Sequence, residues 1–213
     1  MTTARDLALI ALGSPADRAV EQGDLSLALA GAEVVDLLAA GALTLDGDRL
    51  VPGDTPTGDR LLDEALASAV RREPGETVQD WLWRRGDELA TVYAGELTRT
   101  GPTAHPRRRG LRWWSERSER SEWSVPADSP EHTRAQERLD SGEPVLTALA
   151  AFLALGDLTS DTGEILAGTG GDADGDAAVV TVLIAVGDAV TELEAERLRR
   201  SIESDAFDNI WRA

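Results

Sequence analysis

Residues 105–126 hold the densest chemistry in the chain. Arg107, Arg108, Arg109, Arg112, Arg117 and Arg120 stand there against Glu116, Glu119 and Glu122, with Trp113, Trp114 and Trp123 between them. A guanidinium group presents a planar fork of donors that matches phosphate or carboxylate, and tryptophan favours the boundary between membrane and water. Six arginines against three glutamates give this stretch +3 in a chain of net −18, which leaves −21 on the rest. Two readings stay open for it. Either the segment is a contact surface for an anionic membrane, or Trp113 and Trp114 pack onto the body or a second subunit while the arginines answer an acidic surface. Arg84 and Arg85 form a smaller basic pair at the end of a helical stretch. Cations there can take up an anionic group, or lie solvated against the negative end of the helix dipole.

Other chemistries have less to build on. The chain has no Cys, which removes disulfides, thiolate metal sites and cysteine nucleophiles together. His105 and His132 have no second histidine at ligand spacing. Asp172, Asp174 and Asp176 alternate as in a calcium loop. The sixth and twelfth places of such a loop call for Gly and a bidentate Glu, and here they are Ala177 and Leu183. Neither a Gly-rich phosphate cradle nor a G-x-S-x-G elbow occurs. With 39 acidic residues against 21 basic ones, a carboxylate pair carries no information about acid–base work. No catalytic group and no cofactor is expected. Every basic residue is Arg, and so acidic a chain is repelled by nucleic acid and by anionic surfaces except where its arginines cluster.

The elements that must position these residues read as mainly helical. A chain of 213 residues suits one domain over its whole length. Residues 4–12 are short and apolar, and lean to helix over strand. Asp24 can cap a helix from Leu25 that carries Leu29, Val34, Leu37 and Leu38 inward and stops before Gly41. The Asp-Gly at 46–47, between short apolar pieces, predicts a hairpin over 43–51. Helices follow over 59–72, 76–85 and 87–100. Poor helical periodicity makes 105–125 a second, protruding β-hairpin. Ser129-Pro130 opens a helix to Asp140, and 145–155 is a buried helix. Residues 168–176 read as a loop, 177–201 as a long helix with Val179, Leu183, Val186, Val190 and Leu193 in one stripe, and 205–211 as a separate short helix. The longest apolar run, 177–187, is about half the ~20 residues of a membrane span. The first residues, Met1 to Asp6, lack the layout of a signal peptide, so a cytoplasmic protein is expected.

Three local features match one known family. Thr55-Pro56-Thr57-Gly58-Asp59, with the following Leu61-Leu62-Asp63-Glu64-Ala65-Leu66, is similar to that family's Pro-Thr-Gly-Asp and Leu-Leu-Asp-Glu-Ala-Leu signature. Glu76-Thr77-Val78-Gln79-Asp80-Trp81 stands where the family has Glu-Thr-Val-Gln-X-Trp. The helix ending at Gly41, followed by Leu43-Thr44-Leu45, resembles its helix and first strand. The family that the chain resembles in these features is Golgi phosphoprotein 3. In physical terms the first signature is a turn and a helix start: Thr57 or Asp59 offers an oxygen to free amides, and Gly58 permits unusual dihedrals.

The resemblance implies a compact helical domain with a protruding hairpin and no catalytic activity. It also implies a peripheral adaptor whose eukaryotic relatives bind phosphatidylinositol 4-phosphate and retain glycosyltransferases through their cytosolic tails. The family's headgroup-binding Trp and first Arg fall on Glu21 and Ala30, and its later pair of arginines on Asp87 and Ala90. None of these four supplies a cation, so that lipid specificity is not expected to transfer. Arg84 and Arg85 stand close enough to replace the missing pair. The resulting expectation is a non-catalytic peripheral membrane adaptor that touches an anionic headgroup or surface, has a protein partner, and can pair with a second copy through the hairpin. The alternative is a soluble protein–protein module of the same fold. The all-arginine, Ala/Gly/Asp-rich composition suggests a bacterial member.

Overall fold

The computed structural model describes residues 2–15, 19–72, 75–100, 105–106, 123–124, 129–155 and 173–211. Residues 4–12, open to either helix or strand in sequence, lie in helix α1 (Thr3–Gly13), where the Thr2 side chain accepts from the Arg5 amide. The run is rich in Ala and Leu, so nothing in it penalises helix. Leu7, Leu9 and Leu12 are wholly buried. The first amides of α1 are also answered by α2, since the Asp36 carboxylate accepts from Thr3 N at 2.8 Å and Ala4 N at 2.9 Å.

Helix α2 (Gln22–Ala39) begins earlier than expected. Glu21 is its N-cap, without a side-chain cap bond. Asp24 lies inside the first turn and does not cap it; its two oxygens accept from Arg197 Nη1 at 2.7 and 2.8 Å. The helix stops before Gly41, whose φ of +63° suits a residue without Cβ. Strands β1 (Leu43–Asp46) and β2 (Arg49–Pro52) pair antiparallel, Leu45 opposite Leu50, around Gly47 at φ +63°. The far edge of β2 receives residues 76–78: Leu50 N donates to Glu76 O, and Val78 N to Asp48 O.

Helix α3 (Arg60–Ser68) is capped by Asp59, which accepts from Leu61 N and Leu62 N. It ends four residues short of the expected Arg72, because Ala69 is already extended. Helix α4 (Val78–Arg85) starts on Thr77, and α5 (Leu89–Thr100) follows after a tight turn. Strands β3 (His105–Pro106) and β4 (Trp123–Ser124) pair antiparallel, His105 opposite Ser124, as a hairpin over 105–125 requires. Ser129 caps α6 (Pro130–Asp140), with Pro at its first position, and α7 (Pro144–Phe152) is the buried apolar helix.

The last helix, α8 (Ala173–Trp211), is one unbroken element of 39 residues. It corrects two expectations: 173–176 is helix and not loop, and 205–211 continues α8 instead of forming its own helix. Ser204-Asp205 looks like a cap, but no Gly or Pro stands nearby to stop the preceding turn. Val182, Leu183, Val186 and Val190 face the core. The architecture is mainly α, with α1 and α2 packed together, α4, α5 and α8 against α2, and α6 and α7 against α1. Where α2 crosses α8, Gly31 lies so close to Val186 that a Cβ would collide with it.

Candidate functional site

The first turn of α2, the end of α4, the α4–α5 turn and the middle of α8 frame an open cavity of about 360 Å³. Gln22, Gly23, Ser26 and Leu27 line one side, Trp83, Gly86, Asp87 and Glu88 another, and Leu193 a third. Trp83 is 39% exposed, whereas Trp81 is wholly buried and donates from Nε1 to Ala30 O at 3.1 Å. Two residues apart on one helix, the two rings cannot share a face. Trp81 serves the core, and Trp83 is left for the cavity.

The turn that carries Asp87 and Glu88 is held on both flanks. Ser26 Oγ accepts from Ala90 N at 3.0 Å, and Gln22 Nε2 donates to Thr91 Oγ1 at 3.0 Å. On α4, Arg85 grips Glu33 of α2 with Nε and Nη2 at 2.8 and 2.9 Å. On α5, Tyr93 Oη donates to the same carboxylate at 3.3 Å. Burial pushes the Glu33 carboxyl above its ordinary range, with Arg85 opposing. It also pushes the Tyr93 hydroxyl well up, and Glu33 adds to that rise. Glu88 sits at φ +55°, a left-handed backbone that costs a residue with Cβ. Gly86 has no room for a side chain, since a Cβ would lie 2.5 Å from Leu82 O.

Arg84 and Arg85 do not line this cavity. Arg84 donates to Glu76 through Nε at 2.6 Å and Nη2 at 2.8 Å, and its guanidinium lies 5.2 Å from the centre of the Trp81 ring. The Arg85 side chain is only 12% exposed, so it is not a solvated helix-end cation. Both arginines are bound within the chain. Of the four positions where the family's headgroup residues fall, Asp87 lines the cavity and Glu21 caps α2 beside it. Ala30 and Ala90 lie in the core. Arg107, Arg108, Arg109, Arg112, Trp113 and Trp114 lie outside the described residues. The calcium-like acidic triplet falls at Asp172, also outside them, and at Asp174 and Asp176 on the first turn of α8, whose side chains are likewise outside.

The signature segments act as scaffold. Asp59 caps α3, Thr57 N and Oγ1 donate to Asp63 Oδ1 at 2.7 and 2.8 Å, and Gly58 supplies φ +81°. Thr77 caps α4, and its Oγ1 donates to Asp80 at 2.7 Å. Glu76 joins β2 through its carbonyl and Arg84 through its carboxylate. Among the described residues no group of three or more His, Cys, Asp or Glu is placed to hold a metal. No helix searched among them is long and apolar enough to cross a membrane.

The described residues form a capped helical frame with an open pocket at the starts of α2 and α5. The family model described as Golgi phosphoprotein 3 (GPP34) matches residues 4–204. The chain belongs to the Golgi phosphoprotein 3 family, a family of non-enzymatic adaptors that work by binding partners.

Proposed function

We propose that this chain is a non-catalytic adaptor that touches anionic membranes peripherally through the Arg/Trp segment at 107–114, and that it does not select phosphatidylinositol 4-phosphate. One observation carries the loss of selectivity. The cavity at the starts of α2 and α5 offers Asp87 and Glu88, and the family's later arginine pair falls on Asp87 and on Ala90, which is buried. A phosphate needs charge-assisted donors to replace its water, and two carboxylates repel it instead. Arg84 and Arg85 give no substitute, because Glu76 and Glu33 already hold their forks. The membrane contact rests on the local reversal of sign at 105–126, +3 within a chain of −18.

Flotation with vesicles tests both parts. Vesicles rich in phosphatidylglycerol and vesicles containing phosphatidylinositol 4-phosphate at equal surface charge should carry the protein equally well. Saturable binding to the phosphoinositide alone defeats the proposal. Binding to neither favours the soluble protein–protein module, the reading that the −21 on the rest of the chain supports.

A further inference from the structure

We propose that the cavity between α2, α4 and α5 is a binding site for an organic ammonium group, a ligand of opposite charge to a lipid phosphate. The proposal deepens the adaptor reading and rests on it for the site's role. At about 360 Å³ the cavity lies within the range of small-molecule sites, roughly 300–1,000 Å³. Its walls combine an exposed indole, Trp83, two apolar side chains, Leu27 and Leu193, and two carboxylates, Asp87 and Glu88. An aromatic face attracts a cation through its quadrupole, most strongly where the cation is weakly hydrated, as in a quaternary ammonium. The carboxylates add direct charge attraction, and Leu27 and Leu193 accept the ligand's methyl or methylene groups.

The field in the cavity decides the sign of the ligand. The starts of α2 and α5 each contribute about half a positive charge, which alone favours an anion. Asp87 and Glu88 outweigh them with two full negative charges on the cavity wall. Arg197 approaches Gly23 from α8 and has its Nη1 against both oxygens of Asp24. With two carboxylates on the wall, an ammonium group gains where a phosphate loses.

An ammonium can come from a lipid headgroup or from a free small molecule, and titration separates the two. Calorimetry of the full chain with choline and with ethanolamine should show saturable binding at about 1–10 mM, as suits so small a ligand. Inorganic phosphate should show none. The double variant Asp87→Asn/Glu88→Gln and the single variant Trp83→Ala should each weaken binding on the order of tenfold. Trp83→Phe, which keeps an aromatic face, guards against a folding defect and should lose less. Flotation with phosphatidylethanolamine vesicles that fails with the double variant assigns the source to lipid; binding of free choline without flotation assigns it to a soluble ligand. Either supports the site. No saturation by about 100 mM, phosphate binding of equal strength, or unchanged affinity in both variants overturns it. Changes at 107–114 should leave the choline titration unmoved, so this proposal and the membrane-adaptor reading fail separately.

Discussion

Arg85 and Glu33, 52 positions apart in sequence, are joined by two parallel hydrogen bonds of 2.8 and 2.9 Å, and the carboxylate is wholly buried. The pair ties the end of α4 to the middle of α2. Removing one partner of a buried pair leaves the other charge without compensation, typically at 3–5 kcal/mol. Glu33→Gln should therefore lower stability by about 3 kcal/mol in urea denaturation. Glu33→Leu combined with Arg85→Met, which removes both charges, should recover much of that loss. An additive double variant would mean that the pair acts as no unit.

Acid should act on the signature turn. The two donations from Thr57 hold the Asp63 carboxyl below its ordinary 3.8. A lowered folded-state pKa contributes stability that is fully present above 3.8 and is lost as pH falls through the folded value. Thermal melts from about pH 5 down to about pH 2.5 should show this loss in the parent chain and a shallower one in Asp63→Asn. Equal slopes would separate Asp63 from the acid response.

The parts visible in sequence were those with local signals. Ser129-Pro130 starts α6, the Asp-Gly at 46–47 turns the hairpin, and Gly41 ends α2 as expected, because each is decided by the dihedrals and free amides of a few neighbouring residues. The cavity was not visible. It joins the start of α2 to Leu193 of α8, some 170 positions away. Trp83 carries a local signal of its own: lying two residues after Trp81, it cannot share that ring's buried face. Arg85 reads as a surface cation until folding brings Glu33 to it. The expected break near 205 failed because a cap residue without a stop signal does not end a helix.

The crossing of α2 and α8 depends on the missing side chain of Gly31. Gly31→Ala would drive a Cβ into Val186, an overpacking that costs roughly 1–3 kcal/mol. Chemical denaturation should show that loss, and adding Val186→Ala should return part of it even though it removes buried apolar surface. A Gly31→Ala variant as stable as the parent would mean that the helices separate freely.

The segment at 107–114 separates into two contributions. Trp113→Ala with Trp114→Ala should weaken flotation at any salt, since insertion of the ring does not depend on ionic strength. Arg→Gln at Arg107, Arg108, Arg109 and Arg112 should remove only the salt-sensitive part, exposed charges being screened beyond about 10 Å at 0.1 M. Light scattering of the double tryptophan variant reads the alternative, an interface between copies, as a change in mass. If both mass and flotation match the parent, the segment is neither an anchor nor an interface.

Helix α8, at 39 residues and 1.5 Å per residue, is about 58 Å long. Arg197 holds it to Asp24, and beyond that grip Leu198 and Ile202 are exposed. On the near side, one turn before the grip, Leu193 forms part of the cavity wall. Val182 to Val190 clamp this rod in the core before it reaches the cavity, and from Arg197 to Trp211 it continues for about 21 Å. A rod clamped in this way passes little sideways motion back through its packed turns, so Leu193 is held in the cavity wall by the same packing that buries Val190.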